Sequence, residues 1–162
     1  MSTDARPRQR AHARGSNIAF FVALLAAAMM LGPTLAHALS LPNKIGASGD
    51  EYFAMQRVYD GWANVAWLIS VEFTGLLAVT IIHWSDKRVL TPTLIAFASV
   101  IAGQVIFWLF TFPANQATEN WTTQPADWDG KRDQGENSHL AGAVLQSVAM
   151  AALIIAVLRR GQ

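Results

Sequence analysis

The sequence predicts an all-α protein, a four-helix transmembrane up-and-down bundle with a short interfacial helix between its first two spans. Three observations predict it. Of 162 residues, 52% are apolar and only 14% charged, against about 25% charged in an ordinary soluble domain. The charges are segregated, so that runs at 18–39, 61–84, 92–112 and 138–158 carry almost none. Each run holds about 20 residues or more, which at about 1.5 Å per residue crosses a hydrocarbon core of about 30 Å.

The length suits one domain, 18–162, behind a short tail. A net charge of +1 leaves no nucleic-acid footprint. There is no cysteine, which excludes disulfides, thiolate catalysis and cysteine-ligated metal or iron–sulfur centres. The partner implied is the lipid bilayer.

Residues 1–17 hold Arg6, Arg8, Arg10 and Arg14 with Asp4 as their one acid, and no apolar period. They are expected to form a disordered basic tail. Ile18 to Leu39 follows, interrupted only by Gly32-Pro33, Thr34 and His37. Ala36-His37-Ala38 has the small-x-small form of a signal-peptide cleavage site, but the run is expected to remain as the first span.

Ser40 to Asp60 is mixed and polar. Ser48-Gly49-Asp50-Glu51 has the form of a capping box. Tyr52, Met55 and Tyr59 then share a helical face, which predicts the interfacial helix. The second span starts at Gly61, with Trp62 and Trp84 at its ends as an aromatic belt. Pro92 opens the third span, where its missing amide is harmless, and Phe112-Pro113 closes it. The fourth helix is expected to begin inside the polar stretch, near Pro125 or Asp127, because Trp128, Arg132, Glu136 and His139 fit one face. Arg159-Arg160 ends it.

Orientation follows from Lys and Arg. Eight of the 12 lie in the N-terminal tail, the second connection and the C-terminus, namely Arg6, Arg8, Arg10, Arg14, Lys87, Arg88, Arg159 and Arg160. Lys44, Arg57, Lys131 and Arg132 lie in the other two connections. Both termini are therefore expected on the cytoplasmic side of the inner membrane, with the two long polar connections outside.

Two polar groups sit where the membrane makes them expensive. Glu72 is about 16 Å into the second span and Gln104 about 18 Å into the third, counted from opposite sides. Their depths agree, which predicts a shared hydrogen bond with Glu72 kept neutral. A second polar set gathers at the outer ends: His37 closes the first span, His139 opens the fourth, Glu136 precedes His139 by three residues, and Asn115 and Asn120 follow the third span. His37, with no acid within a helical turn, is read as a neutral base, and Glu136 as a partner for His139. Snorkelling and capping at the interface is the plainer account of the same residues. Two His and one Glu also match a facial metal triad, and a bis-His haem between the first and fourth helices is a further alternative. His83 and Trp121 read as interfacial. The acids Asp127, Asp129, Asp133 and Glu136 also read as a solvated face without EF-hand spacing.

Two stretches carry a resemblance. One is Ala36-His37 with Leu41-Pro42-Asn43-Lys44-Ile45-Gly46, Glu51-Tyr52-Phe53, Gln56, Tyr59 and Gly61-Trp62; the other is Phe112-Pro113-Ala114-Asn115, Trp128, Arg132 and His139. Over roughly residues 18–160 the chain resembles a family of four-helix membrane proteins, mostly without known function, whose characterised fungal members are anthrone oxygenases. The resemblance implies an uncleaved first span and a cofactor-independent oxygenase acting on a hydrophobic aromatic or quinone-like molecule. That chemistry needs no metal or flavin. A base takes a proton from a carbon between aromatic rings and the anion reacts with oxygen. A histidine, with a reference pKa of about 6.5, suits that base. His37, His139 and Glu136 are then the catalytic candidates, and Asn115, Arg132, Trp128 and Asn43 the substrate-binding ones, with Asn115 or Arg132 holding the developing enolate oxygen. The alternative function is a non-enzymatic accessory subunit or small-molecule binder.

Overall fold

A computed structural model describes residues 5–161, and every regular element in them is helical. α1 runs Ala5–Leu39, α2 Leu41–Lys44 and α3 Gly49–Gln56; α4 runs Trp67–Ile82, α5 Lys87–Ile106, α6 Phe112–Ala117 and α7 Trp128–Arg159. Three helices are long and apolar enough to cross a membrane: Gln9–Leu39, Lys87–Ala117 and Trp128–Arg159. Gly49–Val65 and Trp67–Ile82 make a fourth if that pair, bent by 45°, counts as one span.

Several elements differ from expectation. The basic tail is helical from Ala5, continuous with the first apolar run, so residues 5–17 are not a disordered segment; residues 1–4 lie outside the described part. Ala5, Ala11 and Ala13 with the intervening arginines are good helix formers once an apolar helix below supplies the nucleus. The second span is not one straight helix from Gly61. Gly61 takes a left-handed φ of 83°, Trp62–Val65 forms a 3₁₀ turn, and α4 starts only at Trp67. Gly61 reaches that conformation without a Cβ penalty.

The third span does not end at Phe112-Pro113. It passes through a π-helical stretch, Phe107–Thr111, and continues as α6. Phe112 donates its N–H to Phe107 O, and Pro113, lacking an N–H, sits in the first turn of α6. A proline leaves no i−4 bond to keep, so the ladder shifts register there instead of stopping. The fourth helix begins at Trp128, as its polar face predicts, and Ser48 and Glu51 close the expected capping box on α3.

The long helices alternate in direction. Ser16 of α1 meets His83 after α4 and Arg160 at the end of α7, while His37 at the other end of α1 meets His139 of α7. Thr111, before α6, meets Ser138 of α7. The contacts between helices are built from small residues: Ala23, Ala27, Ala96, Ala149 and Ala152 surround Leu76, Val100 and Leu153. Outward faces stay apolar, with Phe21, Ile81, Leu109, Val144 and Leu158 exposed. Small residues between helices and large apolar ones outside is the pattern of helices packed in lipid.

Glu72 does not reach Gln104. Its Oε1 accepts from Gln146 Nε2 at 2.8 Å, and the same amide approaches Ala27 O at 3.3 Å. Glu72 is 1% exposed between α1, α4 and α7. Gln104 lines a groove on the other side with Phe73, Val105 and Trp108. Depth along a helix leaves its rotation open, and the rotation turns Glu72 toward Gln146.

Candidate functional site

Where α1 ends and α7 begins, four chain segments meet around Glu136. Its Oε1 accepts from Tyr52 Oη at 2.8 Å and from Gln56 Nε2 at 3.2 Å, both on α3. Its Oε2 lies 2.7 Å from Lys44 Nζ of α2 and 3.4 Å from His37 Nε2 of α1. Lys44 and Glu136 are 2% and 1% exposed, so this is a buried ion pair. Neither contact to Oε2 is a well-aligned hydrogen bond. Removing two charges from water costs several kcal/mol each, roughly, and only close pairing with extra donors offsets that. Tyr52 and Gln56 are those donors.

His37, 7% exposed, stacks on His139 with ring centroids 3.8 Å apart, and on Tyr59 at 4.4 Å. Tyr59 in turn hydrogen-bonds Ser40 Oγ at 3.0 Å and accepts from Lys44 Nζ at 3.4 Å. His139 is half-buried and makes no side-chain hydrogen bond among the described residues. The layout is a line: Lys44, ionised Glu136, His37, then His139, each against the next.

The predicted convergence of His37 and His139 is present in this geometry. The predicted pairing within it is not. Glu136 turns away from His139, its neighbour on α7, toward α2 and α3, because Lys44, Tyr52 and Gln56 offer it a cation and two donors there. His37 therefore is not the residue without an acid; Glu136 is its nearest one.

The substrate-binding candidates separate. Arg132 lies over the Trp128 ring at 5.1 Å and the Tyr52 ring at 6.0 Å, and Nη1 donates to Ala47 O at 3.3 Å. Arg132 and Trp128 thus cover the α3 side of the cluster. Asn115 accepts from Trp121 Nε1 at 2.9 Å, which ties the loop after α6 to that helix. That loop holds Glu119, Asn120 and Trp121 in consecutive left-handed conformations, with φ of 48°, 55° and 63°, an arrangement costing on the order of 1 kcal/mol per residue. It sets the Trp121 ring edge-on to Tyr52 at 5.1 Å. Trp121 is thus part of the aromatic wall and not merely interfacial. Asn43 is exposed and contributes nothing to the cluster; its neighbour Lys44 is the residue that turns inward. Asn120 is also exposed.

Lys44, Tyr52, Gln56 and Tyr59 complete the site, and the sequence argument gave none of them a place in it. No sequence spacing pointed to them: a lysine is almost never fully buried without a partner, but the partner of Lys44 is Glu136, far along the chain on α7.

Neither metal alternative fits these residues. Among the described residues no three His, Asp or Glu side chains are arranged to hold a metal ion. Two imidazoles in stacking contact leave no room for a macrocycle between them, which removes the bis-His haem.

Beside the histidines, an apolar groove of about 440 Å³ opens between α1 and α7, lined by Leu35, Ala38, Leu39, Leu140 and Val144. Ala38 and Leu140 directly follow His37 and His139 in the chain. Compared with known protein families, with curated proteins and with solved structures, the chain matches none.

Proposed function

We propose that the chain is a four-span up-and-down membrane bundle, both termini on the cytoplasmic side of the inner membrane, that binds a hydrophobic aromatic molecule beside His139. We further propose that it oxidises that molecule with dioxygen and without a cofactor, as the resemblance to anthrone oxygenases implies. The observation that carries this reading is the line Lys44–Glu136–His37–His139. A buried carboxylate lies 3.4 Å from one imidazole, while His139, stacked on that ring, makes no side-chain hydrogen bond among the described residues and keeps its nitrogens uncommitted.

In this scheme His139 removes a proton from a methylene between two aryl rings. The carbanion gives its electrons to dioxygen, one oxygen atom becomes the ketone carbonyl, and the other leaves as water with the second methylene hydrogen and the returned proton. Arg132, held over Trp128, supports the enolate oxygen electrostatically. The groove between α1 and α7 supplies a path for a greasy substrate from the bilayer.

The test is oxygen uptake by the purified protein with an anthrone-type substrate. Uptake should fall about 100-fold or more in His139→Ala, the usual span for loss of a general base, while the variant stays folded. Equal rates in wild type and His139→Ala would overturn the enzymatic reading. One observation favours a non-enzymatic role: both oxygens of Glu136 are occupied by residues of α1, α2 and α3, which makes the cluster a staple for the connection as well. A staple with no chemistry predicts no uptake at all and a partner that co-purifies.

A further inference from the structure

The opposite end of the helices holds a second polar cluster, unused by the chemistry above. Arg160, at the end of α7, donates from Nη1 to Ser16 Oγ at 3.2 Å, and Ser16 Oγ lies 2.8 Å from His83 Nε2. Ser16 and His83 are 3% and 8% exposed. The Arg160 guanidinium also stands over the Phe20 ring at 5.2 Å, and exposed His12 packs edge-on against His83 at 6.0 Å. Three segments, α1, the residue after α4 and the first residue after α7, thus fix one guanidinium and one imidazole. Among the described residues no carboxylate lies within ion-pair distance of Arg160. Asp86, the acid nearest in the chain to His83, accepts from the Arg88 backbone N–H as the cap of α5.

We propose that Arg160, Ser16, His83 and His12 form a binding site for the phosphodiester headgroup of an anionic phospholipid. A guanidinium offers five N–H donors in a planar fork that suits phosphate oxygens, and the contact with Ser16 uses only one of them. The lipid is favoured as the source of that phosphate by what surrounds the cluster. The apolar stretches of α1, α4 and α7 all reach their ends here, and Ile18, Ile81, Trp84 and Leu158 are exposed beside it, at 55%, 65%, 67% and 65%. A headgroup on Arg160 lays its acyl chains on those side chains. A soluble phosphate has no use for them. Arg159, Lys87 and Arg88 are exposed and raise the local potential toward anions, but none of them is fixed in the way Arg160 is.

The experiment is thermal unfolding of the full chain in a neutral detergent, with added phosphatidylglycerol, phosphatidylcholine or inorganic phosphate. Phosphatidylglycerol should raise Tm by about 4 °C or more at saturating lipid. Arg160→Gln should abolish that shift and Arg159→Gln should keep it. Arg160→Lys retains the charge but loses the fork, and should lose at least about half the shift. Equal loss in Arg159→Gln and Arg160→Gln would reduce the effect to general surface charge and overturn the site. So would an equal shift with phosphatidylcholine, an undiminished shift in Arg160→Lys, or a full shift with inorganic phosphate alone, which would make it a free-anion site.

Discussion

Glu136 takes hydrogen bonds from Tyr52 and Gln56 while Lys44 and His37 flank its second oxygen, so neutralising it disturbs three helices at once. Glu136→Gln leaves Lys44 buried without a counter-charge, and the loss should be about 3–5 kcal/mol. Lys44→Met should cost a similar amount, and the double variant Lys44→Met/Glu136→Gln should recover part of it, because no lone charge then remains. Unfolding of the three variants in detergent measures this; single variants each within about 1 kcal/mol of wild type would mean the ion pair contributes nothing. Glu72 makes the contrasting case. Among the described residues it has no cationic partner, and Gln146 donates to it, so it is expected to be neutral glue. Glu72→Gln is isosteric with the protonated acid, can still accept from Gln146, and should shift stability by less than about 1 kcal/mol. A collapse of stability in that variant would show a charged, paired Glu72. These residues also mark how far the sequence can be read. Equal depth brought His37 to His139 correctly, since antiparallel helices of known ends fix depth. Pairing by depth failed for Glu72, because Gln104 and Gln146 both lie near mid-span and only the helix rotation chooses between them. Pairing by spacing failed for Glu136, because the i,i+3 rule sees one helix and Lys44 came from another segment.

At the scale of elements, Gly75 of α4 packs directly against Ala23 of α1. A Cβ built on Gly75 would stand 2.8 Å from the Ala23 Cα and nitrogen, which are backbone and cannot rotate aside. Gly75→Leu should therefore force the two helices apart and cost about 1–3 kcal/mol or more. Among the described residues, a Cβ on Gly142 of α7 would meet nothing within 4 Å beyond its own stretch of helix, so Gly142→Ala should be neutral or stabilising by about 0.5–1 kcal/mol through helix propensity alone. Comparable losses in the two variants would show that the α1–α4 contact is looser than described. The positions of the apolar helices were legible because composition and length alone dictate them. Their interruptions were not. Gly61 reads equally well as a helix start or as a left-handed hinge, and it is the hinge. Phe112-Pro113 reads as a stop, yet a π turn absorbs the missing donor and the helix goes on to Ala117. In both places the outcome depends on what the flanking side chains pack against, which no local pattern carries.

For the molecule as a whole, charge is what orients the two polar layers across a membrane. The alternation of helix directions puts Ser16, His83 and Arg160 at one end and His37, His139 and Glu136 at the other. The charge distribution predicts which of those ends faces the cytoplasm. Arg10, Arg14, Lys87, Arg88, Arg159 and Arg160 belong to the first, and Lys44, Arg57, Lys131 and Arg132 to the second. Two of the latter are already engaged inside the protein: Lys44 is buried against Glu136, and Arg132 is held over Trp128. A charge neutralised in the folded chain contributes less to the field that the membrane reads after folding, but topology is set during insertion, when all of them count. The bias toward the first end stands on either basis. Reporter fusions after Arg88 and after Arg160 should therefore both read cytoplasmic, and a fusion after Asn120 should read external. The fusion after Arg88 is the discriminating one, because it asks whether the bent segment from Gly49 to Ile82 crosses as a single span. If it dips in and returns, the protein has three crossings, and with the N-terminus cytoplasmic the Arg88 and Arg160 fusions both read external and the Asn120 fusion reads cytoplasmic, the reverse of the expected pattern.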